Sequence, residues 1–428
     1  MKKALLYIAA ALVAAGSMNA KTIDEVRIYL NPGHGSWGPN DRPMATISYP
    51  NLEETGRPDT CGFYESNTNL WKVLKLGNTL EKMGVKKENI MYSRVKNGPF
   101  PYVKGAEDAE IYNRNLTEIC EEVDANNMDV FISVHSNAAS EGTSTNYPLF
   151  LYRGSDGEGG DAVAGSRAMG LTMWPLFYTN AIDVMNYYGP TNPNVRGDVS
   201  FYGSSSDRVA TNGNVYTGYL GVLKHGAQAL LSEGYFHTYQ PARHRALNQD
   251  YCFQEGVRYA RGLCQVLGGT PETTGYIMGT VKDLHERFTG QELFKYAAGS
   301  DDQWTPINGA VVALYKGETK VAEYTVDNNY NGVFVFEGLE PGDYTLDVTA
   351  EGYKPLFDEY KAPIAVKANE TSYSKVYLES EAYEPPSIVY TDYPDEINNP
   401  AIGVGGEYKF LASYGDAEIA ELKDKTVR

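Results

Sequence analysis

Two of the six histidines stand at the carboxyl ends of apolar runs. His34 follows Ile28-Tyr29-Leu30 in the stretch Asn31-Pro32-Gly33-His34-Gly35-Ser36, and His135 closes Asp129-Val-Phe-Ile-Ser-Val-His135. Short apolar runs cut off by Gly and Pro read as strands, and a near-continuous one reads as a strand covered on both faces. Two carboxylates accompany them. Glu65 opens a segment in which Leu70, Val73, Leu74, Gly77, Leu80 and Met83 recur at helical spacing before Gly84 ends it, and Glu233 sits in the strand-like Ala229-Leu-Leu-Ser-Glu-Gly-Tyr235. Two imidazoles and one carboxylate, with a fourth position open to water, are the donor set of a catalytic zinc site. Such a site also needs a carboxylate to take the proton of the attacking water. Glu233 fits that need, because a carboxylate inside an apolar strand is costly without a partner or a function. Each residue alone has a plainer reading: Glu65 as a helix N-terminal acid, His135 as a core histidine, His34 as a turn residue.

The elements that must position this set alternate between strand and helix from Thr22 to about Gly268. A short strand is expected at Asn89–Arg94, helices at about Asp108–Asn126 and Ala162–Tyr178, and a last helix at Gln249–Leu267. The pattern predicts an α/β domain over residues 22–268, with a mostly parallel twisted sheet flanked by helices. Ligand sites in such sheets gather at the carboxyl ends of the strands, where both histidines fall. Residues 140–215 are the least regular part, with a flexible acidic loop at Gly154–Gly160, and read as a variable insertion forming a binding surface or lid. Gly268-Gly-Thr-Pro271 is a linker. Period-two alternation over residues 275–382 (Ile277, Gly279, Val281; Val311, Ala313, Tyr315; Val333, Val335; Tyr344, Leu346, Val348) predicts a small antiparallel all-β sandwich. Residues 386–428 begin a further β segment too short to enclose a core, which either packs on its neighbour or belongs to a longer chain.

The formal net charge of −18 and pI near 4.8 exclude a nucleic-acid surface built on basic patches. Residues 1–20 have the Lys2-Lys3 start, short apolar run and small-residue end of a secretory signal peptide, so an exported protein, periplasmic or secreted, is expected. No later stretch suits a stable membrane span. Cys61, Cys120, Cys252 and Cys264 make no disulfide framework, and the last two lie too far apart along one helix to pair.

The motifs resemble the zinc-dependent N-acetylmuramoyl-L-alanine amidases of the amidase-3 type. That family reads, in order, a Pro-Gly-His-Gly strand end, a glutamate opening a helix, a strand ending Ile-Ser-x-His-x-Asn, and a strand with Leu-x-Glu-x-Gly/Tyr-Phe. This chain has Pro32-Gly-His-Gly35, Glu65-Ser-Asn67, Phe131-Ile-Ser-Val-His-Ser-Asn-Ala138 and Leu231-Ser-Glu-Gly-Tyr-Phe236. The resemblance covers roughly residues 25–267. It implies that His34, Glu65 and His135 bind Zn2+, that Glu233 is the catalytic carboxylate, and that the partner is peptidoglycan, cut between N-acetylmuramic acid and L-alanine. Asn31 stands where the family usually has Asp, and Ser36 where a second Gly is common. The stretch Asn331-Gly-Val-Phe-Val-Phe through Glu351-Gly-Tyr353 resembles carboxypeptidase regulatory-like (transthyretin-like) sandwiches. That raises the alternative of a zinc carboxypeptidase, which fails at its His-x-x-Glu pair because neither His34 nor His135 has one. A peptidase on other peptides and a non-catalytic wall-binding protein are the remaining alternatives.

Asn137, in the His135 motif, and His237, on the Glu233 side if the strand continues, are candidate substrate contacts. Arg94 and Arg114 read as braces of the fold, and His225, His244 and His285 as surface or structural residues.

Overall fold

The computed structural model describes residues 21–36, 63–98, 113–140, 143–189, 191–288, 296–384, 389–390 and 411–412. The leader at 1–20, Cys61, and the amino-terminal part of the helix expected from Asp108 lie outside the described residues. Residues 1–380 form one compact unit and 381–428 another. Within the second, Val389–Tyr390 pairs in parallel with Leu411–Ala412.

In the first unit, β1 (Ile28–Pro32), β2 (Ile90–Tyr92), β3 (Val130–Asn137), β4 (Leu149–Tyr152), β5 (Val195–Gly197) and β8 (Gln228–Phe236) form one sheet in the order β2-β1-β3-β8-β4-β5. The first four in that order run parallel, and β4 returns antiparallel to β8. The alternation of side chains sends Ile28, Leu30, Ile132, Val134 and Leu230 to one face. There they pack with Val73, Leu76 and Leu80 of helix α1 (Glu65–Lys82), Trp174 of α3 (Ser166–Tyr178), and Tyr259 and Leu263 of α6 (Gln249–Leu267). Tyr29, Phe131, Ala229 and Leu231 go to the other face, against Ile119 and Val123 of α2 (Leu116–Ala125) and the turn at Val222–Leu223. Strands covered on both sides explain the unbroken apolar runs of β3 and β8.

The expected boundaries need three corrections. Among described residues the second helix starts at Leu116, because the Asn115 side chain accepts the Thr117 N–H and caps it. Residues 140–215 are more regular than the sequence suggests, holding β4, α3, β5, the short helix α4 (Asp198–Tyr202) and the first strand of a hairpin, β6 (Ser206–Val209) with β7 (Val215–Gly218). The Gly154–Gly160 loop is tied down rather than loose: Asp156 accepts the Gly197 N–H and pairs with Arg196. Cys120, Cys252 and Cys264 are buried free thiols.

After a short helix α5 (Gln240–Arg245) and α6, which Gly268 caps in the left-handed conformation, the chain enters the sandwich. One sheet has β10 (Trp304–Pro306), β9 (Gly275–Arg287) and β13 (Val333–Leu339), and the other β12 (Thr319–Thr325), β11 (Val311–Lys316), β14 (Gly342–Thr349) and β15 (Ile364–Val366). The sandwich is not wholly antiparallel, since β16 (Thr371–Leu378) pairs in parallel with β9. The phase of β11 also differs from the expected one: Val312 and Leu314 are the buried residues, not Val311 and Ala313. On β13, Phe334 and Phe336 fill the sandwich core, while Val333 and Val335 join Tyr235, Phe236, Tyr239, Tyr251 and Cys252 in a core shared with the α/β part. Burial of both faces is why Val333-Phe-Val-Phe336 is apolar at every position.

Candidate metal centre

His34 is carried past the end of β1 by a backbone that no ordinary strand exit needs. Its φ is +68°, in the left-handed region, and that of Gly35 is +66°. A non-glycine residue held there costs on the order of 1–3 kcal/mol and marks a position fixed by its surroundings. Gly33 makes the turn possible, because a Cβ on it would lie 2.2 Å from the Cε1 of His135. Arg94 fastens the loop to α1 by donating to the carbonyls of Ser66 at 2.5 Å and Gly33 at 3.3 Å. Its burial lowers the guanidinium pKa to about 9. Arg94 thus braces the site, as the sequence suggests. Arg114 pairs with Glu122 at 2.5 Å and also lines the cleft described below.

Glu65, in the first turn of α1, is fully buried and is the hub. His34 Nε2 lies 3.2 Å from its Oε2, and His135 Nδ1 lies 3.4 Å from its Oε1. The Ser136 N–H donates to Oε1 at 2.8 Å, and Asn69 Nδ2 approaches the same oxygen at 3.4 Å. Burial by itself raises the Glu65 pKa, but hydrogen bonds from His135 and His34 outweigh it and hold the carboxyl well below its usual range. Burial lowers the pKa of His135, so a neutral ring is favoured there. Among the described residues, His34, Glu65 and His135 are the one group of three or more metal-ligating side chains whose donor atoms converge, all within 4.8 Å of one another.

Glu233 is His135's register partner on the next strand and faces the same side of the sheet. The two other candidates lie at or just past the ends of the same two strands. His237 falls beyond the end of β8 and is buried at 1 % exposure, with Nδ1 3.0 Å from Ser136 Oγ and 3.8 Å from Glu65 Oε2, so it packs beneath the carboxylate rather than on the cleft wall. A register break between β3 and β8 after His135 turns the chain out of the expected strand path there. Asn137 accepts the Ala138 N–H with its own Oδ1. His225 and His244 are buried, each with its pKa lowered to about 3 by burial, and His285 pairs with Glu379.

A cleft of about 710 Å³ opens in front of the histidines, bounded by the β1 exit, the amino-terminal turn of α2 and residues Leu220–Val222. That volume suits a ligand of several rings or residues. The β6–β7 hairpin is anchored to the same helix, through Arg208 to Asp124 and Glu121. Sequence reasoning missed one further feature behind the site, the buried pair of Lys72 and Glu255 at 3.0 Å, with Lys72 Nζ 4.3 Å over the Tyr235 ring. Helical spacing could have found it, because Lys72 lies seven residues after Glu65 on the buried face of α1.

The family described as "Carboxypeptidase regulatory-like domain" matches residues 300–379. No curated protein matches the chain. Solved structures that resemble it include an N-acetylmuramoyl-L-alanine amidase from Clostridium difficile 630, 18% identical over 57% of this chain and 98% of that one, with a TM-score of 0.37. The catalytic domain of CwlV, an amidase of the same name from Bacillus (Paenibacillus) polymyxa var. colistinus, is 14% identical over 57% of this chain and 98% of its own, at 0.36. Ami1 from Mycobacterium smegmatis is 15% identical over 58% of this chain and 99% of its own, at 0.40. At these scores the likenesses carry no argument about chemistry, which rests on the residues of the site: two imidazoles at strand ends meeting a buried carboxylate from the first turn of α1.

Proposed function

We propose that the protein is a zinc-dependent hydrolase of peptidoglycan that cuts the amide between the lactyl group of N-acetylmuramic acid and L-alanine of the stem peptide. One observation carries the metal assignment. One donor atom from each of His34, Glu65 and His135 lies within 4.8 Å of the other two, around a fully buried carboxylate. The donor set also suits the ion, with borderline nitrogen ligands and a carboxylate already held in its charged form. Bound there, zinc supplies a Lewis acid for the scissile carbonyl and makes water acidic enough to be deprotonated near neutral pH.

The chain's own residues do the rest. Glu233, beside His135, takes the proton of the attacking water on a carboxylate oxygen and passes it to the leaving nitrogen. A C–O bond forms, the C–N bond breaks, and the products are a lactyl carboxylate and the free α-amine of L-alanine. The 710 Å³ cleft leaves room for a sugar and the first stem residues. The substrate is supported by the order of the four motifs, and the leader read at residues 1–20 would deliver the enzyme to the compartment that holds it. No described helix is long and apolar enough to cross a membrane.

Digestion of purified peptidoglycan, with and without chelator, tests the proposal. Mass spectrometry of the products is expected to show new L-alanine amino termini that disappear on chelation and return with Zn2+. Cleavage between two amino acids would replace the amidase by a peptidase, and wild-type protein free of bound metal after zinc loading would remove the metal centre.

A further inference from the structure

We infer that Asn31 is a positioning residue for His135, acting through Ser133 to hold the ring with Nδ1 toward Glu65; the inference rests on the metal-centre reading. Asn31 and Ser133 are register partners on β1 and β3, and their side chains point to the same face of the sheet as His135. Asn31 Nδ2 donates to Ser133 Oγ at 2.8 Å. Its Oδ1 accepts from Ser93 Oγ, just past the end of β2, at 2.6 Å. Ser133 Oγ in turn lies 3.2 Å from His135 Nε2. Asn31, Ser133 and Ser93 are 4 %, 0 % and 7 % exposed, so water competes weakly for these groups.

The chain of contacts divides the two nitrogens of His135. Nε2 is engaged by Ser133, and Nδ1 faces Glu65. A serine hydroxyl has one proton and two lone pairs. Asn31 fills one lone pair, and the other stays open to accept from Nε2–H. A metal bound at Nδ1 would take that nitrogen's lone pair and leave the ring proton on Nε2, where Ser133 Oγ accepts it. Asn31 itself is pinned, since its Oδ1 is taken by the Ser93 hydroxyl and only its NH2 can turn to Ser133. The ring edge is meanwhile packed against the Cβ-less Gly33. A ring that swings loses its anchor on one side or meets the backbone on the other.

Outer partners of this kind are worth about 10–100-fold in metal affinity. The test is Zn2+ affinity, measured by competition with a chromogenic chelator on the full-length protein, together with the thermal midpoint of the metal-free protein. Ser133→Ala is expected to weaken Zn2+ binding by about 10–100-fold, with little change in the metal-free midpoint. Asn31→Leu should weaken it in the same direction. Asn31→Asp is the rescue: its carboxylate accepts from both serine hydroxyls, leaving a Ser133 lone pair for Nε2–H, so wild-type affinity is retained. Unchanged Zn2+ affinity in Ser133→Ala overturns the inference, as does a loss confined to the metal-free midpoint. A wild-type protein that binds no Zn2+ overturns the metal centre itself, and the wild-type titration separates that failure from the first.

Discussion

Two of the charge clusters among the described residues are built on opposite plans. At the strand ends, a single carboxylate, Glu65, is approached by the imidazoles of His34 and His135, whose side chains are 30 % and 16 % exposed. At the junction with the sandwich, Arg245 sits between Asp183 at 2.6 Å and Asp302 at 2.8 Å, with Lys282 3.3 Å from Asp302. None of these four side chains is more than 4 % exposed. Tyr239 and Tyr251 donate hydrogen bonds to Asp302 and Asp183. The junction balances two cations against two anions. In the strand-end cluster the carboxylate is buried behind two imidazoles, and it is those imidazoles that line the open cleft. A closed, balanced cluster fixes a structure, whereas an open one short of positive charge suits the binding of a cation.

The comparison breaks if perturbing either cluster has the other's effect. The largest contrast is expected from metal removal and from His34→Ala: hydrolysis of peptidoglycan falls to background, while the thermal midpoint of the metal-free protein moves little. A midpoint that collapses in His34→Ala would make this cluster structural too. Glu233→Ala is expected to retain zinc by metal analysis yet lose activity by about 10²–10⁴-fold, the usual worth of a general base. At the junction, Arg245→Ala strands two buried carboxylates and is expected to cost about 3–5 kcal/mol of stability by denaturant unfolding. Because the core there is shared, both the α/β part and the sandwich should unfold together in that variant; an intact α/β transition would contradict the coupling.

The smallest effect is on pH dependence. Burial raises the Asp302 pKa, but Arg245 and Lys282 more than offset this and hold it at about 2, below its ordinary 3.8. The folded value is the lower one, so the stabilisation is complete above the ordinary value and is lost as pH falls through about 2. That loss is worth about 2 kcal/mol. Unfolding measured from about pH 5 to 2 should show this slope, and Asp302→Asn should flatten it. An unchanged slope would assign the acid sensitivity to other carboxylates.

Much of the strand-end cluster was legible because its residues sit where local signals are strong. Gly33 and Gly35 flank His34, an apolar run leads into His135, and Glu65 opens a regular helical pattern. The last helix was readable at both ends, from Asn248, whose side chain caps Tyr251, to Gly268. The junction cluster was not readable. Arg245, Asp183, Lys282 and Asp302 come from four separate elements, and none carries a motif. The placement of His237 is hard to read for a related reason, since it depends on a register break between β3 and β8 that no alternation pattern announces. β4 and β5 were hidden by their brevity among polar loops. The doubly covered face of β13 did leave a trace, in the four consecutive apolar residues from Val333 to Phe336.

By itself, then, the sequence determined which residue types stand at the ends of which apolar runs, and so what chemistry the chain can support. Hydrophobic periodicity and glycine placement are local, and they act on the chain before it folds. Only the tertiary structure decided that His34, Glu65 and His135 converge within 4.8 Å, that Asn31 reaches His135 through Ser133, and that the sandwich shares a core with the α/β part. Those facts depend on which strands become neighbours and in what register, and that is set by the packing of the whole core.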